Sequence, residues 1–280
     1  MLLYLIIPLL QALLLFNSCK TNYGSEKQNY RFNTREDYEP ENIRSIPLPE
    51  GFKYIPGTDS LFSDWLLSQP LKKDKIVYLY NGNRKQNQDA QLEVLDIDIG
   101  KKNLVQCADA VIKMRADFLF HSCRVTEINF RSTTGSTLSF SEWREGWRWK
   151  EQNGDLIRIA GTNHSMNTLQ SFESFMDLVY LYCGTYSLSR QLQPVSGDIQ
   201  PGDVFVQGGF PGHAVIVISV AENKFGRQMF MLAQGYMPAQ DIHILRNPRN
   251  TELSPWYSTE EIYPLITPQW KFNKGSLMRW

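Results

Sequence analysis

The stretch "QPGDVFVQGGFPGHAVIVIS", Gln200 to Ser219, decides how the rest of the chain is read. Pro201-Gly202-Asp203 is a turn signal. Val204 to Val206 is a short apolar run, and Gly208, Gly209, Pro211 and Gly212 make a loop with few side chains. His213 then heads the run Ala214 to Ile218, which has the β-branched composition of a buried strand. An ionisable ring at the mouth of a buried strand is either a plug satisfied by hydrogen bonds or a group that something reaches. The loop glycines favour the second, because they leave room for another backbone or a ligand to come close.

Downstream, "AENKFGRQ" reads as a hairpin turn, and "MFMLAQGYMPAQDIHIL" as a strand bent near Gly235 to Pro238. An even-length loop at Asn223 to Gly226 pairs residues whose numbers sum to an odd value. His213 then lies opposite Gln234 or Tyr236, and Gln234 projects from the same face. The Gln234 carbonyl oxygen can accept from an imidazole N–H and so orient the ring. Asp241 and His243 are alternative partners. His121 and His164 read as structural or solvated.

Upstream, "NLVQCADAVIKMRADFLF", Asn103 to Phe120, is the best helix in the chain. Asn103 is its expected N-cap and Gln106 completes a capping-box pattern. Leu104, Cys107/Ala108, Val111, Met114/Arg115 and Phe118 recur at helical spacing. Cys107 therefore falls in the first turn or just past it, where the helix N-terminus stabilises a thiolate. Cys107, His213 and Gln234 are the candidate nucleophile, base and orienter. The bland alternative makes Cys107 a buried core thiol, or half of a disulfide with Cys123 or Cys183.

Other elements are expected as strands at Lys75 to Gly82 and Gln91 to Gly100. Short strands follow in "CRVTEINF", "STLSF", "GWRWKE" and "DLIRIAG". A helix over Thr168 to Leu192 is whole or broken at Gly184, and a Pro- and aromatic-rich tail adds an edge strand. Trp143, Trp147 and Trp149 read as sheet core rather than as a substrate wall. A cysteine helix before a β-meander is an α+β order.

The 29 basic and 29 acidic side chains balance with no basic stripe, which excludes nucleic acid as an expected partner. The four histidines show no HxxxH or HExxH spacing and the cysteines no CxxC, so neither a metal nor another cofactor is expected. "MLLYLIIPLLQALLLFNSC" is an uncharged apolar leader ending at Ser18-Cys19. It reads as a lipoprotein signal peptide over 1–18, with Cys19 as the lipidated residue. Residues 19–42 are polar and aperiodic and read as a flexible tether, and 43–280 as a single α+β domain.

The ordered set "QCADAV" on a helix, "PGDVFV" opening a strand, "GHAVIVI" heading the next and a polar residue ending the third resembles papain-like cell-wall peptidases of the NlpC type and their amidase relatives. That resemblance implies a papain-like core, with Cys107, His213 and Gln234 in the three roles. The Trp-rich strands and second helix would be an insertion. An upstream tyrosine supplies an oxyanion contact in such enzymes, which makes Tyr80 a candidate, and Gln106 is a second. Across most of the chain, "DIGKKNLVQCADAV", "GDVFVQGGFPGHAVIV", "LAQGYMPAQDIHIL" and "SPWY" also resemble a bacterial lipoprotein family described as domain of unknown function 4846. Together these imply an envelope lipoprotein, periplasmic or surface-facing and held at a membrane by its lipid. Its implied activity is cysteine hydrolysis of cell-wall peptide or another amide. A non-catalytic binding or structural lipoprotein on the same scaffold is the alternative.

Overall fold

A computed structural model describes residues 39–161 and 168–280. The leader, Cys19, all but the last residues of the expected tether, and His164 lie outside them. Among the described residues no helix is long and apolar enough to cross a membrane. The chain is mixed α and β, and its strands pair antiparallel.

The principal sheet is built on the longest strand, His213–Asn223. In spatial order it runs Gln91–Val94, His243–Leu245, Gln228–Gln234, His213–Asn223, Val204–Gln207, Leu277–Arg279, Gln193–Pro194. Phe52–Tyr54 pairs with the far end of the long strand, and Tyr257–Ser258 with Gln228–Gln234. The long strand is buried at every position but one because both of its faces are covered, and its central run Ala214 to Ile218 is wholly apolar. Ala214, Ile216 and Ile218 join the cluster that contains the helices. Val215 and Val217 join a second cluster with Phe205, Phe230, Leu232 and Phe272.

The hairpin does not have the expected even loop. Asn223 and Arg227 close three residues between them, with Gly226 at φ +76°. The Asn223 Oδ1 accepts from the Phe225 and Arg227 N–H groups. A three-residue loop with a left-handed glycine is a standard hairpin closure. It gives the pairs Gln228–Glu222 and Met231–Ser219, which put His213 and Gln234 on opposite faces. A β-bulge then restores the shared face. The next pair is Leu232 with Val217, so Ile218 is an extra residue and the register parity flips. The core records the flip: Ile218 and then Ala221 face the helices, and Val217 and then Val220 face the other cluster.

The cysteine helix spans Cys107–His121, three residues later than Asn103 as N-cap requires. The Asn103 Oδ1 is taken by the Ala239 N–H (2.8 Å), so a tertiary contact outcompetes the local cap. Gln106 is the N-cap, and its N–H donates to Asp109 Oδ2 (3.1 Å). Cys107 thus opens the helix. At the other end Cys123 takes a left-handed conformation, φ +57°, and the Arg124 N–H closes on the Leu119 carbonyl. That turn replaces the start of the strand expected from Cys123, and pairing begins only at Asn129.

The four short strands form two hairpins outside the principal sheet, Asn129–Arg131 with Thr137–Ser139 and Trp147–Gln152 with Asp155–Ala160. Trp143 lies on the short helix Phe140–Arg144 between them, under the Arg148 guanidinium. Trp147 carries Arg158, and Trp149 is buried. The second helix is two, Leu169–Tyr182 and Thr185–Gln191, broken at Cys183-Gly184. Lys75 to Gly82 is not a strand. Its backbone bonds divide between a tight turn, Leu79 N–H to Asn83, and the segment at Ala239 to Asp241. The strand expected over Gln91 to Gly100 ends at Val94.

The tail does not add an edge. Leu277–Arg279 inserts between Val204–Gln207 and Gln193–Pro194. The reason is Asp203 of "PGDVFV": buried at the strand entrance, it accepts two bonds from the Arg279 guanidinium, 2.6 and 2.7 Å, and one from the Gln200 N–H. Burial raises the Asp203 carboxyl and Arg279 opposes that. Removing one partner of a buried pair strands the other charge. Arg279→Met should therefore lower unfolding free energy by about 3 kcal/mol, measured by urea denaturation.

Gly235 sets where the cysteine helix sits. A Cβ there would lie 2.8 Å from the Gln106 carbonyl oxygen and 3.0 Å from the Ala110 Cβ. The strand end and the helix N-terminus are thus in backbone contact. Gly235→Ala should cost about 1–3 kcal/mol by overpacking, read from the same denaturation curve.

Candidate active site

Four segments converge at the N-terminal end of the cysteine helix and enclose a cavity of about 240 Å³. They are Asn103 to Asp109, the helix junction Cys183 to Thr185, the glycine loop leading to His213, and Tyr236-Met237 with Trp270. The Cys107 thiol lies at the helix start against the backbone N–H groups of Ala108, Ala214 and Cys107 itself. Ala214 is the residue after His213, so the helix start meets the head of the long strand. Burial nevertheless raises the thiol above its ordinary value, and the N–H groups only partly offset this. Asp109, buried two residues on, has its carboxyl pushed up to about 8 by burial. Its Oδ1 has no hydrogen-bond partner.

His213 is almost fully buried. Its ring packs against Tyr236 and Trp270, each 5.2 Å between centroids, and near-parallel to Phe272 at 5.9 Å. Its Nε2 is 2.8 Å from Gln234 Oε1. Continuing the register past the bulge places Tyr236 opposite His213 and Gln234 on the diagonal, within reach of a long side chain. Burial lowers the imidazole to about 4; the Gln234 bond opposes this and the Lys85 charge adds to it. At neutral pH the site thus holds an un-ionised thiol and a neutral imidazole.

The cavity brings together Cys107, His213 and Gln106 of the expected residues, and Gln234 supports His213 from behind. Tyr80 is elsewhere. It lines a separate cavity with Lys72, Asp96 and Asp241, held by its N–H bond to the Ala239 carbonyl. Tyr180 and Tyr236 are the tyrosines that line the cysteine's cavity, and the Tyr236 hydroxyl is raised by burial and by Cys107. Of the two uses expected of the loop glycines, the close approach of another chain segment is the one seen at Gly208 and Gly212. Side chains at Gly208 and Gly212 would collide with Ser189 and Thr185 of the helix Thr185–Gln191. These two glycines make room for that helix and its hydroxyl side chains. Gly209 faces open space, and beside it Phe210 is fully exposed at the cavity mouth, with Met237 more than half exposed. Cys107, Cys123 and Cys183 are all free thiols, so the expected alternative of a disulfide at Cys107 does not hold. The tryptophans at 143, 147 and 149 do not line this cavity.

Local sequence did not point to Gln269, Trp270 or Lys85. Gln269 Oε1 accepts from Gln234 Nε2 (2.8 Å) and from Lys85 Nζ (2.9 Å). His243, one of the alternative partners, touches Gln234 on the same side (3.2 Å) and not His213.

The model of the family described as Domain of unknown function (4846) matches residues 43–279, and the chain belongs to that family. No curated protein and no solved structure matches it.

The three thiols should separate in an alkylation series read by peptide mass spectrometry. Cys123, exposed, should react with iodoacetamide first. Cys107 and Cys183, whose thiols burial pushes up, should lag at neutral pH and catch up only in alkaline solution, because a raised thiol carries less thiolate at a given pH.

Proposed function

We propose that this member of the family is a papain-like cysteine hydrolase of the cell envelope, using Cys107 as nucleophile, His213 as general base and Gln234 as the ring's orienter. The carrying observation is that one open-mouthed cavity is lined by both the thiol at a helix N-terminus and an imidazole hydrogen-bonded from behind by an amide oxygen. The proton on sulfur passes to His213 as sulfur bonds to the substrate carbonyl carbon. The oxyanion formed is stabilised by helix N-terminal N–H groups, which have no intrahelical acceptor, and by the Gln106 side chain or the Tyr236 hydroxyl at the cavity wall. The C–N bond breaks and the amine leaves with the His213 proton. Water, deprotonated by His213, then cleaves the thioester, releasing the acid and restoring the thiol.

This is a general-base mechanism and not a standing thiolate–imidazolium pair. A base lowered to about 4 stays in its acceptor form at neutral pH. Charge then develops only as sulfur attacks.

The leader ending in Cys19 supports a lipid-tethered protein facing the periplasm or the cell surface, and cell-wall peptide is the amide substrate that such a location favours. The exposed Phe210 and Met237 at the mouth suit an apolar portion of that substrate. Burial of the thiol is the observation that favours the second reading, a cleft that binds peptide and cleaves nothing.

The test uses soluble cell-wall peptides and intact peptidoglycan, with products followed by mass spectrometry. Wild type should release new amino termini, and Cys107→Ala and His213→Ala should each lower kcat/KM by about a thousandfold or more. Phe210→Ala should raise KM with little change in kcat. Binding without cleavage, or cleavage undiminished in Cys107→Ala, would sink the hydrolase reading.

A further inference from the structure

Behind His213 lies a buried polar chain that the nucleophile, base and orienter do not explain. Its members come from distant segments: His243 and Gln269 meet at the Gln234 amide, and Lys85 meets Gln269. His243 is fully buried and Lys85 nearly so. A buried lysine ammonium is costly unless it is hydrogen-bonded or paired, and Lys85 donates to the Gln269 oxygen.

The donors and acceptors can be followed from both ends. Lys85 Nζ can only donate, so the Gln269 atom 2.9 Å away is its oxygen. That oxygen is also 2.8 Å from one end of the Gln234 amide, which must then be the NH₂. Independently, the Asp241 backbone carbonyl can only accept, and His243 Nδ1 is 2.9 Å from it, so Nδ1 carries the His243 proton. Burial and the Lys85 charge lower His243 to about 3, so the ring is neutral and its Nε2 is an acceptor. That acceptor also faces the same end of Gln234, at 3.2 Å. Asp241 is itself pinned by Lys72 Nζ and the Tyr78 N–H. Both ends therefore require the same amide orientation, with the oxygen toward His213.

We propose that Lys85, Gln269 and His243 are positioning residues that lock the Gln234 amide, and through it hold His213 with its proton on Nε2 and a bare Nδ1 to receive a proton in the cleft. An amide alone could present either end to the ring, because its oxygen and nitrogen differ little in size. With the NH₂ turned to His213, Nε2 would become the acceptor and Nδ1 would carry the proton, leaving no base toward the cleft. Lys85 acts on the ring through two intervening amides: it fixes the oxygen of Gln269, which fixes the nitrogen of Gln234. The inference rests on His213 being the base, but the tautomer it specifies exists in the resting protein whether or not a substrate is cleaved.

The test is long-range ¹H–¹⁵N correlation of the histidine rings in uniformly ¹⁵N-labelled protein at neutral pH, with His213 assigned by its loss in His213→Ala. Wild type should show His213 neutral, with Nε2 as the N–H nitrogen and Nδ1 as the lone-pair nitrogen. Lys85→Met frees Gln269 to turn, and Gln269→Leu removes the shared acceptor. Each is combined with His243→Phe, which removes the second acceptor facing the Gln234 NH₂, and each double variant should give a mixed or Nδ1–H ring, while the conservative Gln269→Glu should keep Nε2–H. Circular dichroism checks that each variant is folded. A wild-type ring protonated on Nδ1 overturns the proposal. So does an unchanged Nε2–H ring in both folded double variants, Lys85→Met with His243→Phe and Gln269→Leu with His243→Phe. Because no substrate is present, these outcomes are independent of the hydrolysis assay. A protein that cleaves nothing can still hold the locked tautomer, and an active one with the opposite tautomer refutes this inference alone.

Discussion

Between Val217 and Ser219 the long strand carries one residue more than its partner does opposite Met231 and Leu232. Everything at the site depends on that bulge. Side chains alternate across a sheet with a period of two, so one inserted residue exchanges the faces of all positions beyond it. On the hairpin side of Ile218 the register is that of a three-residue loop. On the site side it is shifted by one, and the shift puts His213 and Gln234 on the same face, 2.8 Å apart. A bulge is tolerable here because apolar residues cover both faces of the strand, so the flip exchanges Val220 and Ala221 between two cores and exposes neither. In a sheet with one wet face the same insertion would turn a run of apolar side chains out to water.

The bulge also shows why the sequence reading reached the right pair by a wrong route. An even loop was expected and an odd one is present; the extra Ile218 cancels the difference. Periodicity in "HAVIVISVAEN" could not reveal the change, because a strand apolar on both faces has no alternation to interrupt. The cysteine helix was legible from spacing, but its start was not. Asn103 is a good cap by type, and its side chain is used 136 positions away at Ala239 instead. Helix ends read from local preference yield to such tertiary partners. For the same reason the tail strand was placed at an edge. The Asp203–Arg279 pair that draws it inside joins residues 76 positions apart, and neither flanking sequence carries a pattern for it.

At the site, what was legible followed element boundaries. Cys107 opens a helix, His213 opens a strand and Gln234 closes one, and each boundary leaves a local mark. Lys85 lies in a turn-rich segment and Gln269 in a Pro-rich tail, 184 positions apart, and their meeting at one amide is a product of packing. Tyr80 was drawn in by likeness to other enzymes, and the backbone at Ala239 holds it in a different cavity. Tyr236 was visible as a strand neighbour of His213, yet its place beside Cys107 depends on the tight contact at Gly235 that brings the helix start onto the strand end.

The polar groups in this region share one electrostatic solution. His213, His243, the Cys107 thiol and the Asp109 carboxyl are each buried, and burial moves each toward its uncharged form. Lys85 is under the same pressure and is lowered to about 8, yet at neutral pH it remains the cation of the group. Its charge lies on the far side of Gln269 and Gln234 from the cleft, where it disfavours a second positive charge on either imidazole. The arrangement resists a resting thiolate–imidazolium pair from both sides: burial opposes the thiolate, and Lys85 opposes the imidazolium. Any chemistry at Cys107 must therefore bring its own stabilisation with the substrate, through an oxyanion held by the helix N–H groups as the proton moves. That slows the reaction of the empty cleft with small electrophiles at neutral pH, and in the proposed mechanism charge separates only when a carbonyl occupies the cleft.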